Sequence, residues 1–166
     1  MLKEKTSFTI FECFVYNSYT ERMKQKHHHS IHPTGKWKNS KPIDLQQKRK
    51  KPLLILFWHS HNPVSVEALH QLDAMVKSYE KKFPIDVLAI HAPEFSDAFD
   101  PWERLVDAMN ISLPVFHDPH YHSWERFGVS SSPSYVVIDG NGEEMIRRVG
   151  TIEDSGIAQF VYSLLP

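Results

Sequence analysis

A short polar loop follows the most apolar stretch of this 166-residue chain, and its residue types could support chemistry. The loop contains His59, His61, Asn62 and Ser65. Histidine binds transition metals and serves as a general base, and a serine hydroxyl becomes a nucleophile when a base lies within reach. Asn62 followed by Pro63 is also typical of a helix start, because asparagine accepts a free backbone N–H and proline has none to leave unpaired. The loop therefore has three interpretations: a metal site, a serine nucleophile assisted by histidine, or a capped helix start.

A third histidine, His91, ends the next predicted strand and would complete a set of three imidazole ligands for Zn²⁺ or Cu²⁺. Two histidines two residues apart on an exposed loop are common, however. We therefore treat His59, His61 and His91 as weak candidates and predict neither a metal nor another cofactor. We also favour exposed histidines over a metal site in two further clusters, which are His27–His29 with His32, and His117 with His120 and His122.

Cysteine usage limits the chemistry more firmly. Cys13 is the only cysteine, so one chain can form neither an internal disulfide nor a cysteine metal cluster.

The net charge of −1 gives no reason to expect nucleic-acid binding, although residues 1–51 are basic, with 12 Lys and Arg against 4 Asp and Glu. No stretch of about 18 apolar residues is present, so we predict no transmembrane segment. The first residues resemble a signal peptide only faintly, so we expect a cytoplasmic protein that starts at Met1 or at Met23.

The apolar pattern predicts alternating strands and helices. Pro52–Trp58 is a continuous apolar run, which indicates a strand buried on both faces of a sheet. Asp139–Gly142 (DGNG) predicts a tight hairpin turn. The other predicted strands are Pro42–Leu45, Ile85–Ala92, Pro114–His117, Ser134–Ile138 and Met145–Val149, and the predicted helices are 63–82, Trp102–Met109, His122–Phe127 and Ile152–Leu165. Parallel strands joined by crossover helices, followed by an antiparallel hairpin, make an α/β fold whose mixed central sheet is covered on both faces.

The chain divides into two predicted regions. Residues 1–36 show no sustained periodicity and are rich in Lys, His and Ser, so we predict a poorly ordered, basic, His-rich tail. Residues 37–166 contain all the predicted elements and form the domain.

Several segments of residues 37–166, taken in order, resemble the thioredoxin superfamily. They are Trp37–Pro42 (W-x-N-S-x-P), Phe57-Trp58, Val87–His91 (V-x-x-I-H), Val115–Pro119 (V-x-x-D-P) and Gly128–Asp139 (G-V-x-x-x-P-S-x-V-V-I-D). The nearest relatives look like the thioredoxin domains of NHL-repeat proteins and bacterial thiol–disulfide oxidoreductases. The resemblance implies a thioredoxin-like three-layer sandwich, with a mixed central sheet, a C-terminal antiparallel hairpin and flanking helices.

The active-site loop of that superfamily reads W-x-x-x-C-x-x-C. Counting from Trp58 places Asn62 and Ser65 at the two cysteine positions. Asparagine cannot supply a thiolate, and a serine hydroxyl does not exchange with disulfides. Many relatives also carry a buried Asp where this chain has Leu56. The resemblance therefore implies a redox-inactive domain without catalytic residues, even though its family label would be thiol–disulfide oxidoreductase.

Pro133 matches the superfamily's cis-proline, beside which the backbone pairs with extended peptides. We therefore interpret the domain as a protein- or peptide-binding module, and retention of Pro133 for the fold alone is the alternative. The tryptophans Trp58 and Trp102 either form an exposed aromatic patch near the loop or pack into the core, which we favour for at least one of them. The expected binding residues are Trp58, Asn62, Ser65, Ser132 and Pro133.

Overall fold

A computed structural model describes residues 34–79, 82–94 and 100–165, so Cys13, Met23 and the first histidine cluster lie outside the described residues. The strands are β1 (Lys36–Lys38), β2 (Leu53–Trp58), β3 (Asp86–His91), β4 (Val115–His117), β5 (Ser134–Ile138) and β6 (Glu144–Val149). The helices are α1 (Pro63–Tyr79), α2 (Trp102–Ala108), α3 (His122–Arg126) and α4 (Ile157–Ser163). Among the described residues, no helix is long and apolar enough to cross a membrane.

The six strands form one mixed sheet in the order β1-β4-β3-β2-β5-β6. Strand β2 is parallel to β3 and antiparallel to β5, and β5 and β6 form the predicted hairpin. The expected α/β architecture is confirmed.

Strand β2 lies inside the sheet between β3 and β5, and all six of its residues are buried. Its side chains alternate between two apolar clusters, one on each face of the sheet. Leu54, Leu56 and Trp58 pack with the buried side of α1 on one face. Leu53, Ile55 and Phe57 pack with Trp124 and Phe127, in and next to α3, on the other face. Two clusters around one sheet produce the three layers that the sequence predicts.

The edge strand beside β4 is Lys36–Lys38, and the prediction of a strand over Pro42–Leu45 is wrong. Residues 42–44 form no regular element, while Leu45 is buried in the second apolar cluster. Its apolar side chain therefore anchors a loop, which a short apolar pattern does not distinguish from a strand. Gly35 lets β1 approach β4, because a Cβ atom there would lie 2.1 Å from the ring of Phe116.

Helix α4 has a different start from that predicted, because it begins at Ile157, five residues after the predicted start. Helix α1 is described as far as Tyr79, and residues 80 and 81, near its predicted end, lie outside the described residues. Gly156 precedes α4 with φ at 72°, a left-handed conformation that favours glycine and separates the helix from the turns before it. Ile152 is nevertheless buried in the same cluster as Ile157, which explains why it fits the helical pattern.

Candidate functional site

Asn62 begins helix α1, as its sequence context predicts. Its Oδ1 accepts hydrogen bonds from the backbone N–H of Val64 at 3.0 Å and of Ser65 at 3.3 Å. Its own carbonyl accepts the N–H of Val66 at 3.0 Å, which opens the helical ladder. Free N–H groups at a helix start are satisfied in this way by a capping side chain. The interpretation of this loop as a capped helix start is confirmed.

The same side chain connects the loop to the turn before β5. Asn62 Nδ2 donates to the carbonyl of Ser132 at 3.2 Å and lies 3.3 Å from the Ser132 hydroxyl. The following peptide bond, between Ser132 and Pro133, is cis. One lone pair of the Ser132 carbonyl is therefore already used by a side chain of the domain itself.

Three of the five expected binding residues are not on the surface. Trp58 and Ser65 are fully buried, and Pro133 is buried as well. Trp102 is also buried, so the two tryptophans form no exposed patch and both join the first apolar cluster. The physical reason is that the apolar run of β2 continues to its last residue and turns that tryptophan towards α1. Trp58, Ser65 and Pro133 therefore present no exposed side chain to a partner in this conformation, and their role in binding stays a prediction.

Other residues form the accessible surface of this region. Asn62 and Ser132 are half-buried and remain within reach of solvent. Val64, in the first turn of α1, is 47% exposed, and Val149 is 56% exposed. Val149 lies opposite Ser134 in the β5–β6 ladder, next to the cis-proline turn. Sequence reasoning missed both valines, since a single exposed apolar residue carries no signal.

Three buried polar atoms of α1, β2 and β5 have no hydrogen-bond partner among the described residues. They are the Ser65 hydroxyl, the Trp58 Nε1 and the Tyr135 hydroxyl. Tyr135 lies opposite Leu56 in the β2–β5 ladder, and burial raises the pKa of its phenol well above the ordinary value. A serine nucleophile needs a hydrogen-bonded base, and Ser65 has none. The structure therefore gives no support to the interpretation of Ser65 as a nucleophile.

The three histidines proposed as metal ligands do not converge on one point. His59 Nδ1 lies 2.6 Å from the Ala92 carbonyl, and its ring stacks on Trp124 at 4.4 Å. Both ring nitrogens of His91 contact protein atoms. Within residues 34–79, 82–94 and 100–165, no group of three or more His, Cys, Asp or Glu side chains is arranged to hold a metal ion. His59, His61 and His91 are therefore not arranged as a set of three ligands in this conformation.

His91 instead lies at the centre of a buried network beneath the loop. Its Nε2 accepts the Ser60 backbone N–H at 3.3 Å, and its Nδ1 lies 2.9 Å from Nδ1 of His117. The Ser60 hydroxyl donates to Asp100 Oδ1 at 2.6 Å. Burial, assisted by the neighbouring imidazoles, lowers the pKa of His91 to about 2, and burial also lowers the pKa of His117. Both rings are therefore neutral at pH 7. Sequence reasoning placed His91 near the loop but missed its partners.

The fold and these motifs agree with comparisons to known proteins. A family model described as thioredoxin-like matches residues 50–144, which is more than half of the chain. The chain belongs to the thioredoxin-like family. It is 28% identical over 109 residues to the thiol–disulfide oxidoreductase YkuV of Bacillus subtilis, a match that covers 64% of this chain and 72% of that protein. It is also 27% identical over 117 residues to the chloroplastic protein SUPPRESSOR OF QUENCHING 1 of Arabidopsis thaliana.

The extent of these matches differs. The match to the Arabidopsis protein covers 69% of this chain but only 11% of that protein's length. Among solved structures, the solution structure of a thioredoxin-like protein in the oxidized form superimposes with a TM-score of 0.67 at 22% identity, covering 85% of this chain and 97% of the other. The similarity therefore establishes the fold and a relationship to thiol–disulfide oxidoreductases, while the loop of this chain carries Asn62 and Ser65.

Proposed function

We propose that this domain is a redox-inactive, thioredoxin-like binding module, which docks an extended segment of another protein at the loop and the cis-proline turn. The observation that carries the proposal is the position of Asn62. At the place where relatives need a thiolate, this side chain caps α1 and bonds to Ser132. A residue with two structural roles and no ionisable group has replaced the nucleophile.

Three features support the loss of thiol chemistry. Asn62 and Ser65 cannot form a disulfide, and the single cysteine of the chain, Cys13, has no second thiol to resolve a mixed disulfide. Leu56 is fully buried at the position of the acid that assists the second thiol in many relatives. A buried carboxylate without a proton-transfer role would only add a desolvation penalty.

The redox part of the proposal is tested by the reduction of insulin with dithiothreitol. We expect the full chain to give the rate of dithiothreitol alone. Cys13→Ser serves as the matched control, because it removes the remaining thiol. Acceleration by the unmodified chain above the background rate would show that the domain retains thiol–disulfide activity.

Docking of an extended peptide is supported by what the site exposes. The Ser132 carbonyl keeps a second lone pair beside the bond from Asn62. The exposed side chains of Val64, two residues after Asn62, and of Val149, which pairs with Ser134, offer apolar contacts. Extended peptides are recognised by such a combination of main-chain hydrogen bonds and side-chain contacts.

A suitable probe is the S-alkylated insulin B chain, because it is an extended peptide without a free thiol. In ¹⁵N spectra of the full chain, we expect peptide-dependent shifts of the Val64 and Ser132 amides and none in the hairpin turn at Asn141. Val64→Ser should weaken the effect. Met145→Ser is the matched control, since Met145 is 48% exposed on β6 but lies at the hairpin end of that strand. Shifts that are absent, or that respond equally to both substitutions, would contradict docking at this surface.

A further inference from the structure

The hydrogen bonds around His91 determine which nitrogen of its ring carries the proton. The Ser60 N–H donates to Nε2 at 3.3 Å, so this nitrogen presents a lone pair and the proton of the neutral ring lies on Nδ1. That proton is donated to Nδ1 of His117, 2.9 Å away. His117 must then carry its own proton on Nε2. The arrangement requires both rings to be neutral.

One additional proton cannot enter this arrangement without displacing the loop. A proton on His91 Nε2 would face the N–H of Ser60, and two donors cannot share a hydrogen bond. A proton on His117 Nδ1 would face the N–H of His91 at 2.9 Å and force His91 into its other tautomer, with the same result at Ser60. In both cases Ser60 loses its acceptor on β3.

Asp100 could accept a hydrogen bond from an added proton on His91 Nε2. Its Oδ1 accepts from the Ser60 hydroxyl and from the N–H of Trp102, whereas its Oδ2 is buried without a hydrogen bond. Oδ2 lies 3.5 Å from His91 Nε2, and the Asp100 side chain is only 9% exposed. Leaving a buried carboxylate oxygen unpaired is unfavourable, so a protonated His91 would give this oxygen a partner.

Other titratable or charged groups face the pair. The loop histidines His59 and His61 lie near His91, whose ring also contacts Trp58 and Trp102. Lys36, Glu103 and Asp118 lie near His117. The imidazoles and Lys36 oppose an added proton, and the three carboxylates, Asp100 included, favour it. The network thus has two self-consistent hydrogen-bond arrangements, one with neutral rings and Ser60 bound, and one with a charged ring bound to Asp100.

We propose that the neutral His91–His117 pair is a positioning device that holds Ser60, and with it the loop that carries Asn62, and that one added proton releases this loop. The N–H of Asn62 donates to the carbonyl of His59 at 3.3 Å, so a movement of residues 59–60 is transmitted to the helix cap. The importance of this release for docking rests on the proposed function. The switch itself is a property of the free domain and needs no partner.

The test uses NMR of the ¹⁵N-labelled full chain without ligand. At neutral pH, long-range ¹H–¹⁵N spectra should show His91 protonated on Nδ1 and His117 protonated on Nε2. Below about pH 6.5, where the released ring can bind a proton, the hydrogen-exchange protection factor of the Ser60 amide should fall about tenfold for each pH unit. The amide of Ile55 in the centre of β2 should stay more strongly protected than the amide of Ser60 at every pH, because Ile55 exchanges only when the whole domain unfolds.

Asp100→Asn is the informative variant, because its amide oxygen can still accept from Ser60 and Trp102 while the negative charge is removed. It should keep the tautomers and move the loss of Ser60 protection to lower pH. Three results would each overturn the inference: the opposite tautomer of His91, a Ser60 protection factor independent of pH, or equal protection factors at Ser60 and Ile55. A normal switch in a domain that binds no peptide would instead count against the proposed function alone.

Discussion

Replacing Asn62 should separate its two structural roles. The cap consists of Oδ1 with the N–H groups of Val64 and Ser65, and the link consists of Nδ2 with Ser132. Loss of a cap costs about 1 kcal/mol of unfolding free energy, and a part-buried hydrogen bond contributes about 1 kcal/mol more. Asn62→Ala removes both, so we expect a loss of about 2 kcal/mol in total. Asn62→Ser keeps a capping oxygen but is too short to reach Ser132, so it should lose only about half as much.

Urea denaturation at pH 7 measures both variants against the unmodified chain. The dependence of the free energy on urea should stay unchanged, which would show that only stability has altered. Equal losses for the two variants would mean that the cap contributes nothing. A loss below about 0.5 kcal/mol for Asn62→Ala, the usual range for unremarkable surface changes, would refute both roles.

Two further predictions concern buried groups. Ser65→Ala removes a buried hydroxyl that has no hydrogen bond, so it should raise the unfolding free energy by about 1 kcal/mol in the same assay, and a loss would show that the hydroxyl has a partner. Acid should destabilise the domain, because its folded state keeps His91 neutral down to about pH 2, whereas the unfolded chain binds a proton below about pH 6.5. The stabilisation from His91 is complete above that pH and is lost as the pH falls. The loss in unfolding free energy should reach about 2.7 kcal/mol at about pH 4.5. A constant unfolding free energy between pH 7 and pH 4.5 would contradict this prediction.

The features that the sequence predicts well are those set by local pattern. The six apolar residues of β2 identify a central strand whatever the rest of the chain does. Asn62–Pro63 identifies a helix start because capping involves only residues within one turn. The hairpin turn is predicted for the same reason, since Asp139 accepts bonds from the N–H groups of Asn141 and Glu143.

The features that the sequence does not predict depend on distant partners. Asp73 lies on the buried stripe of α1 and accepts the N–H groups of Ser112 and Leu113, nearly forty residues away. Burial alone would raise its pKa, but hydrogen bonds from Lys77 and Ser112 outweigh burial and lower it. Asp100 is similar, since only the folded chain places it against Ser60. Spacing along the chain contains no information about such pairs.

Asn62 and Ser65 also show why sequence reasoning located the loop but not which of its residues are exposed. The resemblance places both at cysteine positions of one loop, yet their surroundings differ. Asn62 is half-buried and bonded at both ends of its side chain, whereas Ser65 is fully buried and has no hydrogen-bond partner among the described residues. A helix start can be capped by many polar residues, so the first position readily takes a structural role. Ser65 is buried on the inner side of α1, and its hydroxyl has no hydrogen-bond partner among the described residues. Under the proposed function, the loop would therefore act through the outer surface around Asn62, Val64 and Ser132, which keeps side chains within reach of solvent.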